Sequence, residues 1–294
     1  MNFENIPKGK INICIVVFGF NRLKKISNLI NQLREQNEKL DTFIVLDGPI
    51  TRDQMIVQKK IISAIHPILE NETFIHNDFN KGLSINIKET ITMLLYKYEW
   101  VIVLEDDLFL ERNFIEEMIK MINLAQNRND IFAISAFTER RDKLLTSKLS
   151  NYILRKRFSC WGFAISNESW QQINWKPLNQ RKNFDKLICL KNCIFLAPDM
   201  VTLFVPILRT RTKSWAFYAA LTQVELSKYS LHPNFDIIEN VGFDESSTNT
   251  VRETFFKNNI QIKRLNNNED ITIENNRIIP WLLNALEVLH RKIL

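Results

Sequence analysis

The chain has 294 residues, of which 45% are hydrophobic and 24% are charged. These proportions are typical of a folded protein, and they exclude a wholly disordered chain, a collagen-like repeat and a small disulfide scaffold. The net charge of +6 at pH 7 is modest. It suits an anionic partner such as a nucleotide diphosphate, an acidic lipid surface or nucleic acid, without selecting one of them.

Strand and helix patterns alternate through the first half of the chain. The predicted strands cover residues 11–18, 41–46, 72–76, 100–104 and 131–136, and the predicted helices cover residues 23–33, 54–65, 83–98 and 114–125. Strand–helix–strand order of this kind predicts an α/β sheet with right-handed crossovers. The first strand is apolar apart from Asn12, which is typical of a strand buried on both faces of a parallel sheet.

After residue 140 or so the pattern weakens, and aromatic and basic residues become denser. A Gly/Ser/Pro linker is missing there, so we predict one continuous domain with an irregular second half. The longest apolar runs are far below the ~18 residues that a membrane helix needs, and residues 1–10 do not resemble a signal peptide. We therefore expect a cytoplasmic protein with cysteines kept reduced.

Three consecutive carboxylates, Glu105, Asp106 and Asp107, follow the fourth predicted strand. In open α/β sheets the ligand lies beyond the carboxyl ends of the strands. Oxygen ligands concentrated there favour a hard divalent cation, Mg²⁺ or Mn²⁺, whose coordination a diphosphate would complete. The alternative is a solvated acidic loop or an acidic helix N-terminus, which is common.

Seven segments in chain order resemble GT-A-fold glycosyltransferases. The resemblance is greatest to the N-acetylglucosaminyltransferase I group and its bacterial relatives in surface-polysaccharide synthesis. The segments are 17–22 (VFGFNR), 44–49 (IVLDGP), 80–87 (NKGLSINI), 101–114 (VIVLEDDLFLERNF), 159–166 (SCWGFAIS), 213–218 (KSWAFY) and 239–250 (ENVGFDESSTNT).

The resemblance implies a fold and its boundaries. A GT-A-type sheet that binds a nucleotide sugar, flanked by helices, would occupy residues 11–137. An irregular half on the acceptor side would occupy residues 138–252, so that residues 1–252 form the catalytic domain. Residues 253–294 would form a C-terminal extension, in which residues 278–294 have the apolar stripe of an amphipathic helix.

The resemblance also implies roles for individual residues. Asp107 matches the metal ligand that ends a DXD-type motif. Further donor contacts fall on Phe18, Gly19, Arg22, Asp47, Lys81, Ser84, Glu105, Asp106 and Trp161, and an acceptor contact falls on Trp215.

Two positions depart from the family pattern. Ala216 stands where the relatives carry the acid that serves as general base, so Asp244, Glu245 or Asp199 would have to supply it. Asn249 stands where many relatives have a histidine that reaches the metal or phosphate. Inverting and retaining chemistry therefore both remain open.

Together these patterns predict a glycosyltransferase that uses Mn²⁺ or Mg²⁺. It would move a hexosyl or N-acetylhexosaminyl group from a nucleotide sugar to a glycan or lipid-linked glycan in bacterial capsule, O-antigen or lipooligosaccharide synthesis. The alternatives are a catalytically silent scaffold of the same fold and a sugar-phosphate nucleotidyltransferase. We expect no nucleic-acid partner, because no known nucleic-acid-binding motif occurs.

The apolar stripe of the C-terminal extension has two interpretations. Beside Arg291 and Lys292, it suits peripheral contact with the anionic inner face of a membrane. It equally suits a terminal helix that docks on the catalytic domain or on a second subunit.

Overall fold

The structure of the chain is a computed structural model, which describes residues 11–68, 72–138, 151–196, 200–209, 214–241 and 271–273. Within these ranges, nine strands form one mostly parallel sheet in the order β11-β7-β9-β6-β8-β4-β1-β2-β3, and β5 pairs with β10 in a small second sheet.

The strands of the main sheet are β1 (Ile13–Gly19), β2 (Asp41–Leu46), β3 (Thr73–His76), β4 (Trp100–Glu105), β6 (Ile131–Ser135), β7 (Tyr152–Arg155), β8 (Phe163–Ser166), β9 (Tyr229–Pro233) and β11 (Ile271–Ile273). The small sheet joins β5 (Leu108–Leu110) to β10 (Ile238–Asn240). The helices are α1 (Leu23–Arg34), α2 (Arg52–Ile65), α3 (Leu83–Leu94), α4 (Phe114–Ala125), α5 (Asn167–Gln171), α6 (Asn183–Leu196), α7 (Val201–Leu208) and α8 (Trp215–Glu225). Short 3₁₀ turns lie at His66–Ile68 and Leu178–Gln180.

The sheet is the middle layer of three. Residues of β1 alternate between its two faces, so that Ile15 joins one apolar cluster while Val16 joins the other. Side chains of α1, α2 and α4 pack in the first cluster, and side chains of α3, α6, α7 and α8 pack in the second. This arrangement explains why β1, and β4 as far as Leu104, are apolar, since both faces of each strand are covered.

The first half of the chain folds as its sequence predicts. The parallel strands β4, β1, β2 and β3 lie side by side, and each predicted helix is present. Helix α2 begins two residues earlier than expected, because Thr51 and Gln54 form a capping box at its N-terminus.

The second half completes the same sheet with short strands. β8 is inserted antiparallel between β4 and β6, and β9 runs parallel to β6. β11 pairs parallel with β7 at the edge of the sheet. Residues 271–273 of the predicted C-terminal extension therefore belong to the main sheet, whereas residues 278–294 lie outside the described residues.

Buried tryptophans hold this half together. Trp170 is 2% exposed, its Nε1 donates to Thr92 Oγ1 at 2.9 Å, and its ring meets the ring of Trp175 edge-on.

Among the described helices, none has the length and apolar character to cross a membrane.

A buried histidine in β9 gives the protein a specific response to acid. His232 is fully buried, and its Nδ1 lies 2.8 Å from the carbonyl oxygen of Phe137, to which it donates. Burial, together with the charge of Arg155, lowers the pKa of His232 to about 3. Between pH 6.5 and pH 3 the unfolded chain therefore binds a proton that the folded protein does not, so acid lowers the free energy of unfolding.

We expect this one proton to contribute a slope of up to ~1.4 kcal/mol per pH unit in that window. Urea unfolding of the wild type and of His232→Asn between pH 3 and pH 7 measures it. The variant should lose stability more slowly as the pH falls. Equal slopes would contradict a neutral buried imidazole.

Candidate functional site

The carboxyl ends of three parallel strands bring the predicted donor residues together. In the register of β1 with its neighbours, Phe18 lies opposite Glu105 of β4 and Val45 of β2. The chain is tied across these ends by two backbone hydrogen bonds. Asp106 N donates to Phe18 O at 3.0 Å, and Asp47 N donates to Gly19 O at 3.3 Å. The acid triplet, which consists of Glu105, Asp106 and Asp107, therefore leaves the sheet on one side of the end of β1, and Asp47 leaves it on the other.

The three consecutive carboxylates differ in their surroundings. Asp106 is 3% exposed, whereas 19% of the Asp107 side chain reaches solvent. Burial, and then the charges of Asp107 and Asp106, raise the pKa of Glu105 to about 8. Burial also raises the pKa of Asp106 to about 6, although Arg22 opposes the shift. This part of the sheet edge therefore favours an added positive charge.

Arg22, the residue immediately before α1, meets the acids directly. Its Nη1 and Nη2 each lie 3.3 Å from Asp107 Oδ2, and Nη2 also donates to Asp106 Oδ1. Burial disfavours the charged guanidinium, but the charges and hydrogen bonds of the two aspartates outweigh it and raise the pKa of Arg22. The sequence resemblance predicts a donor contact for Arg22, but it does not predict this ion pair.

Asp47 accepts hydrogen bonds from the loop that precedes α3. Its Oδ1 accepts from Gly48 N at 3.0 Å and from Lys81 N at 2.9 Å, and its Oδ2 accepts from Gly82 N at 2.9 Å. The side chain of Asp47 is buried. It therefore fixes the backbone of the segment that carries the predicted donor contacts Lys81 and Ser84.

Other donor candidates in this segment keep their side chains at the surface. The ammonium group of Lys81 pairs with Glu89 at 2.9 Å. Ser84 is half-buried in the first turn of α3.

Gln58 is a structural residue of the site that the sequence analysis missed. Its Nε2 donates to Phe20 O at 3.0 Å and to Asp47 O at 2.6 Å, and its Oε1 lies 3.2 Å from His76 Nε2. The side chain is 1% exposed. Gln58 thus links the ends of β1, β2 and β3. A glutamine within the otherwise apolar face of α2 was the available signal.

Gly48 is required by a close approach of two loops. A Cβ atom there would lie 2.3 Å from the backbone carbon of Phe79 and 2.5 Å from its carbonyl oxygen. We expect Gly48→Ala to lower the free energy of unfolding by ~2–3 kcal/mol, because backbone must move to make room. Gly19→Ala is the matched control. Its added Cβ would meet the end of the Ile26 side chain at 2.6 Å and no backbone atom, so the side chain can turn aside and a loss of only ~1 kcal/mol is expected.

Urea unfolding of the two variants separates these effects. An equal or smaller loss for Gly48→Ala would contradict the close approach.

The segment before β8 approaches the acids from the side of the second half. Burial, and then the charge of Glu105, raise the pKa of the Cys160 thiol to about 12, and Asp107 contributes in the same direction. The neighbouring Trp161 is half-buried and meets the ring of Phe137 edge-on, with centroids 4.7 Å apart. Trp161 thus lies in a segment that borders the acid triplet.

Trp215, the predicted acceptor contact, lies in the apolar core. It is 5% exposed, and its ring stacks on Phe163 with centroids 5.3 Å apart and meets Phe158 edge-on. In this position the indole supports β8, and its contact with an acceptor stays a prediction. The candidate bases Asp199, Asp244 and Glu245 lie outside the described residues.

The end of the small sheet lies beside Asp107, the last residue of the acid triplet. Val241 N donates to Asp107 O at 2.8 Å, and Lys25 Nζ donates to Val241 O at 3.3 Å. The late segment 239–250 therefore begins beside Asp107, as far as residue 241, where the described stretch ends.

Two carboxylates of the site suit a divalent cation. In the described part of the chain, no three His, Cys, Asp or Glu side chains are grouped as metal ligands. Mg²⁺, however, is usually bound by one or two carboxylates, with substrate phosphates and water as the other ligands. Asp106 Oδ2 is buried and has no hydrogen-bond partner among the described residues. Asp106 and Asp107 therefore fit a cation that shares its coordination with a bound ligand.

A mostly parallel sheet with charged side chains beyond adjacent strand ends is the arrangement in which α/β proteins commonly bind a ligand. The family model described as Glycosyl transferase family 2 matches residues 14–197, which is more than half of the chain. The chain therefore belongs to glycosyl transferase family 2. No curated protein matches it by sequence.

Solved glycosyltransferase structures resemble the fold at low identity. The mannosyltransferase PcManGT from Pyrobaculum calidifontis, in complex with GDP-Man and Mn²⁺, is 13% identical with a TM-score of 0.43, over 75% of this chain and 76% of that one. GalNAc-T7 with UDP, GalNAc and Mn²⁺ is 10% identical with a TM-score of 0.49, over 76% and 42% of the two chains. TarS from S. aureus is 13% identical with a TM-score of 0.39, over 78% and 59%.

Proposed function

We propose that this family member is a divalent-metal-dependent glycosyltransferase that takes its sugar from a nucleotide-sugar donor. One observation carries the proposal. Acidic side chains and a guanidinium converge at the carboxyl ends of β1 and β4, and a buried carboxylate oxygen of Asp106 is left without a hydrogen-bond partner in the described residues. A pair of carboxylates beside a long cationic side chain suits a diphosphate that carries a metal ion.

Asp107 is the proposed direct ligand of Mn²⁺ or Mg²⁺, since it is the more exposed of the two aspartates. When bound, the cation would act as a Lewis acid on the departing nucleoside diphosphate. Asp106 would face the ribose or sugar, and Glu105 would lie beside the donor sugar.

The nucleoside would lie across the ends of β1 and β2. Phe18 and Gly19 would line its base, and Asp47 would hold the loop that covers it. Lys81 and Ser84, which frame the start of α3, would border the donor, and Trp161 would close the side nearest β8. These contacts together would hold the donor sugar in position for attack by the acceptor hydroxyl. Such positioning supplies much of the rate enhancement in group transfer.

On the acceptor side we propose a glycan or lipid-linked glycan, with Trp215 contributing and Asp244, Glu245 or Asp199 as general base. The transferred group would be hexosyl or N-acetylhexosaminyl. We also propose a relationship to the N-acetylglucosaminyltransferase I group and a role in bacterial surface-polysaccharide synthesis. Both rest on the sequence segments quoted above. Cytoplasmic action at the inner face of a membrane, through residues 278–294, rests on their apolar stripe.

Hydrolysis of a panel of nucleotide sugars tests the proposal without knowledge of the acceptor. We expect Mn²⁺-dependent release of a nucleoside diphosphate from one class of donor, because water substitutes for the acceptor hydroxyl. Release of a nucleoside monophosphate, or pyrophosphate exchange, would indicate a nucleotidyltransferase instead. Absence of both hydrolysis and nucleotide binding would leave the catalytically silent scaffold.

A further inference from the structure

Arg22 neutralises two carboxylates whose proposed role is to bind metal and donor. Its guanidinium spans Asp106 and Asp107, with both terminal nitrogens 3.3 Å from Asp107 Oδ2. Only 19% of the Arg22 side chain is exposed. The same oxygens cannot be held by this guanidinium and also be fully available to a divalent cation.

The contact satisfies the aspartates incompletely. Arg22 reaches Oδ1 of Asp106, whereas the buried Oδ2 has no hydrogen-bond partner among the described residues. An unpaired buried carboxylate oxygen is costly. The ion pair therefore compensates the negative charge of the two aspartates only in part. A smaller cation of higher charge would compensate it better.

The position of Arg22 also offers its guanidinium a second binding partner, an anion near the start of α1. It directly precedes α1, a helix of 12 residues with no side-chain cap and no acidic residue in its first turn. The first N–H groups of a helix have no acceptor within the helix, and together with the helix dipole they favour an anion nearby. A guanidinium binds carboxylate and phosphate oxygens through the same fork of donors.

We propose that Arg22 is an exchangeable internal counter-ion, which pairs with Asp106 and Asp107 before metal and nucleotide bind and transfers to the donor diphosphate when they do. This inference rests on the proposed function, and it adds a regulated step to the same site. The aspartates stay neutralised before loading, and the metal alone binds weakly because it must displace Arg22. Metal and nucleotide consequently bind together, since the diphosphate receives the displaced guanidinium.

The proposal predicts opposite changes in two affinities. Arg22→Gln removes the competing cation, so Mn²⁺ alone should bind about tenfold more tightly, as expected for the loss of one like charge in a partly buried site. The same variant removes the phosphate partner, so a nucleoside diphosphate at saturating Mn²⁺ should bind about tenfold more weakly. A permanent structural ion pair would not produce this reversal of sign.

The measurement uses the full chain at pH 8. Electron paramagnetic resonance measures free Mn²⁺ in titrations without nucleotide, and calorimetry at saturating Mn²⁺ measures the binding of uridine, guanosine, cytidine and thymidine diphosphates. Arg34→Gln is the matched control. Arg34 ends the same helix and forms a similar fork on Glu72, with nitrogen–oxygen distances of 2.9 and 3.2 Å. It should leave both affinities within twofold of the wild type.

Arg22→Lys keeps the charge but cannot bridge two carboxylates as the guanidinium does. It should shift both affinities in the same directions by smaller factors, and it serves as the test if Arg22→Gln does not fold.

Two outcomes would overturn the inference in distinguishable ways. If the Arg22 variants bind Mn²⁺ no more tightly than the wild type while the wild type binds Mn²⁺ and a nucleoside diphosphate, the exchange is wrong and the proposed function stands. If the wild type binds Mn²⁺ but none of the nucleotides, the proposed function fails, and the transfer to a diphosphate fails with it.

Discussion

Replacing Asp107 with alanine is expected to lower kcat/KM for Mn²⁺-dependent donor hydrolysis about a thousandfold, or ~4 kcal/mol in transition-state stabilisation. Asp107 is the outermost carboxylate beyond β4, and its backbone is held by Val241. Its removal takes away the proposed direct metal ligand, so the charge that develops on the departing diphosphate is no longer neutralised. Stability should change little, because the side chain is partly exposed and such ion pairs contribute modestly.

Asp130→Ala is the control for this prediction. Asp130 also forms an ion pair with an arginine, since Arg128 donates to it at 3.0 and 2.7 Å. Asp130, however, lies at the amino end of β6, whereas the acid triplet lies beyond the carboxyl end of β4. Activity should be unchanged in this variant. Hydrolysis by Asp107→Ala within tenfold of the wild type, at saturating Mn²⁺, would contradict the role of Asp107.

Replacing Asp47 with alanine is expected to have the largest effect on stability, lowering the free energy of unfolding by ~3 kcal/mol. The buried carboxylate accepts three backbone N–H bonds within 3.0 Å, from Gly48, Lys81 and Gly82. Alanine would leave these donors without an acceptor in a site that excludes most water. Asp47→Asn keeps one oxygen acceptor and should lose only ~1 kcal/mol.

Urea unfolding measures both losses, and calorimetry on the same variants measures nucleotide binding. Asp53→Ala removes an exposed carboxylate from the first turn of the neighbouring helix α2, so it should cost less than ~1 kcal/mol. A loss for Asp47→Ala no greater than for Asp53→Ala would show that the three hydrogen bonds do not hold the loop.

The first half of the fold is predictable largely because β1 and β4 are buried on both faces. The continuous apolar runs of β1 and β4 have few other interpretations, and the turn at Asp47 and Gly48 marks where β2 ends. The second half is harder, because β7 and β8 have four residues each and leave too little sequence for a periodic pattern. The antiparallel insertion of β8 between β4 and β6 depends on contacts that are remote in sequence.

The site was predictable in its residue types and less so in its contacts. The acid triplet stands out because charged residues directly follow an apolar strand. The ion pair of Arg22 with Asp106 and Asp107 joins residues that are 84 and 85 positions apart, and the hydrogen bonds of Asp47 span 34 and 35 positions. Gln58 was missed because a single buried polar side chain in a helix leaves no periodic signature. The packing of Trp215 in the core likewise depends on Phe158 and Phe163, which local sequence does not place beside it.

Thermal stabilisation of the wild type by nucleoside diphosphates, with and without Mn²⁺, tests the proposed donor site. At about one hundred times its dissociation constant, a ligand that binds only the folded protein adds ~2.7 kcal/mol of stability. We predict a clear rise in Tm with one nucleoside diphosphate, dependent on Mn²⁺ and lost in Asp107→Ala. No rise with any nucleoside diphosphate in the presence of Mn²⁺ would contradict a donor site at the ends of β1, β2 and β4.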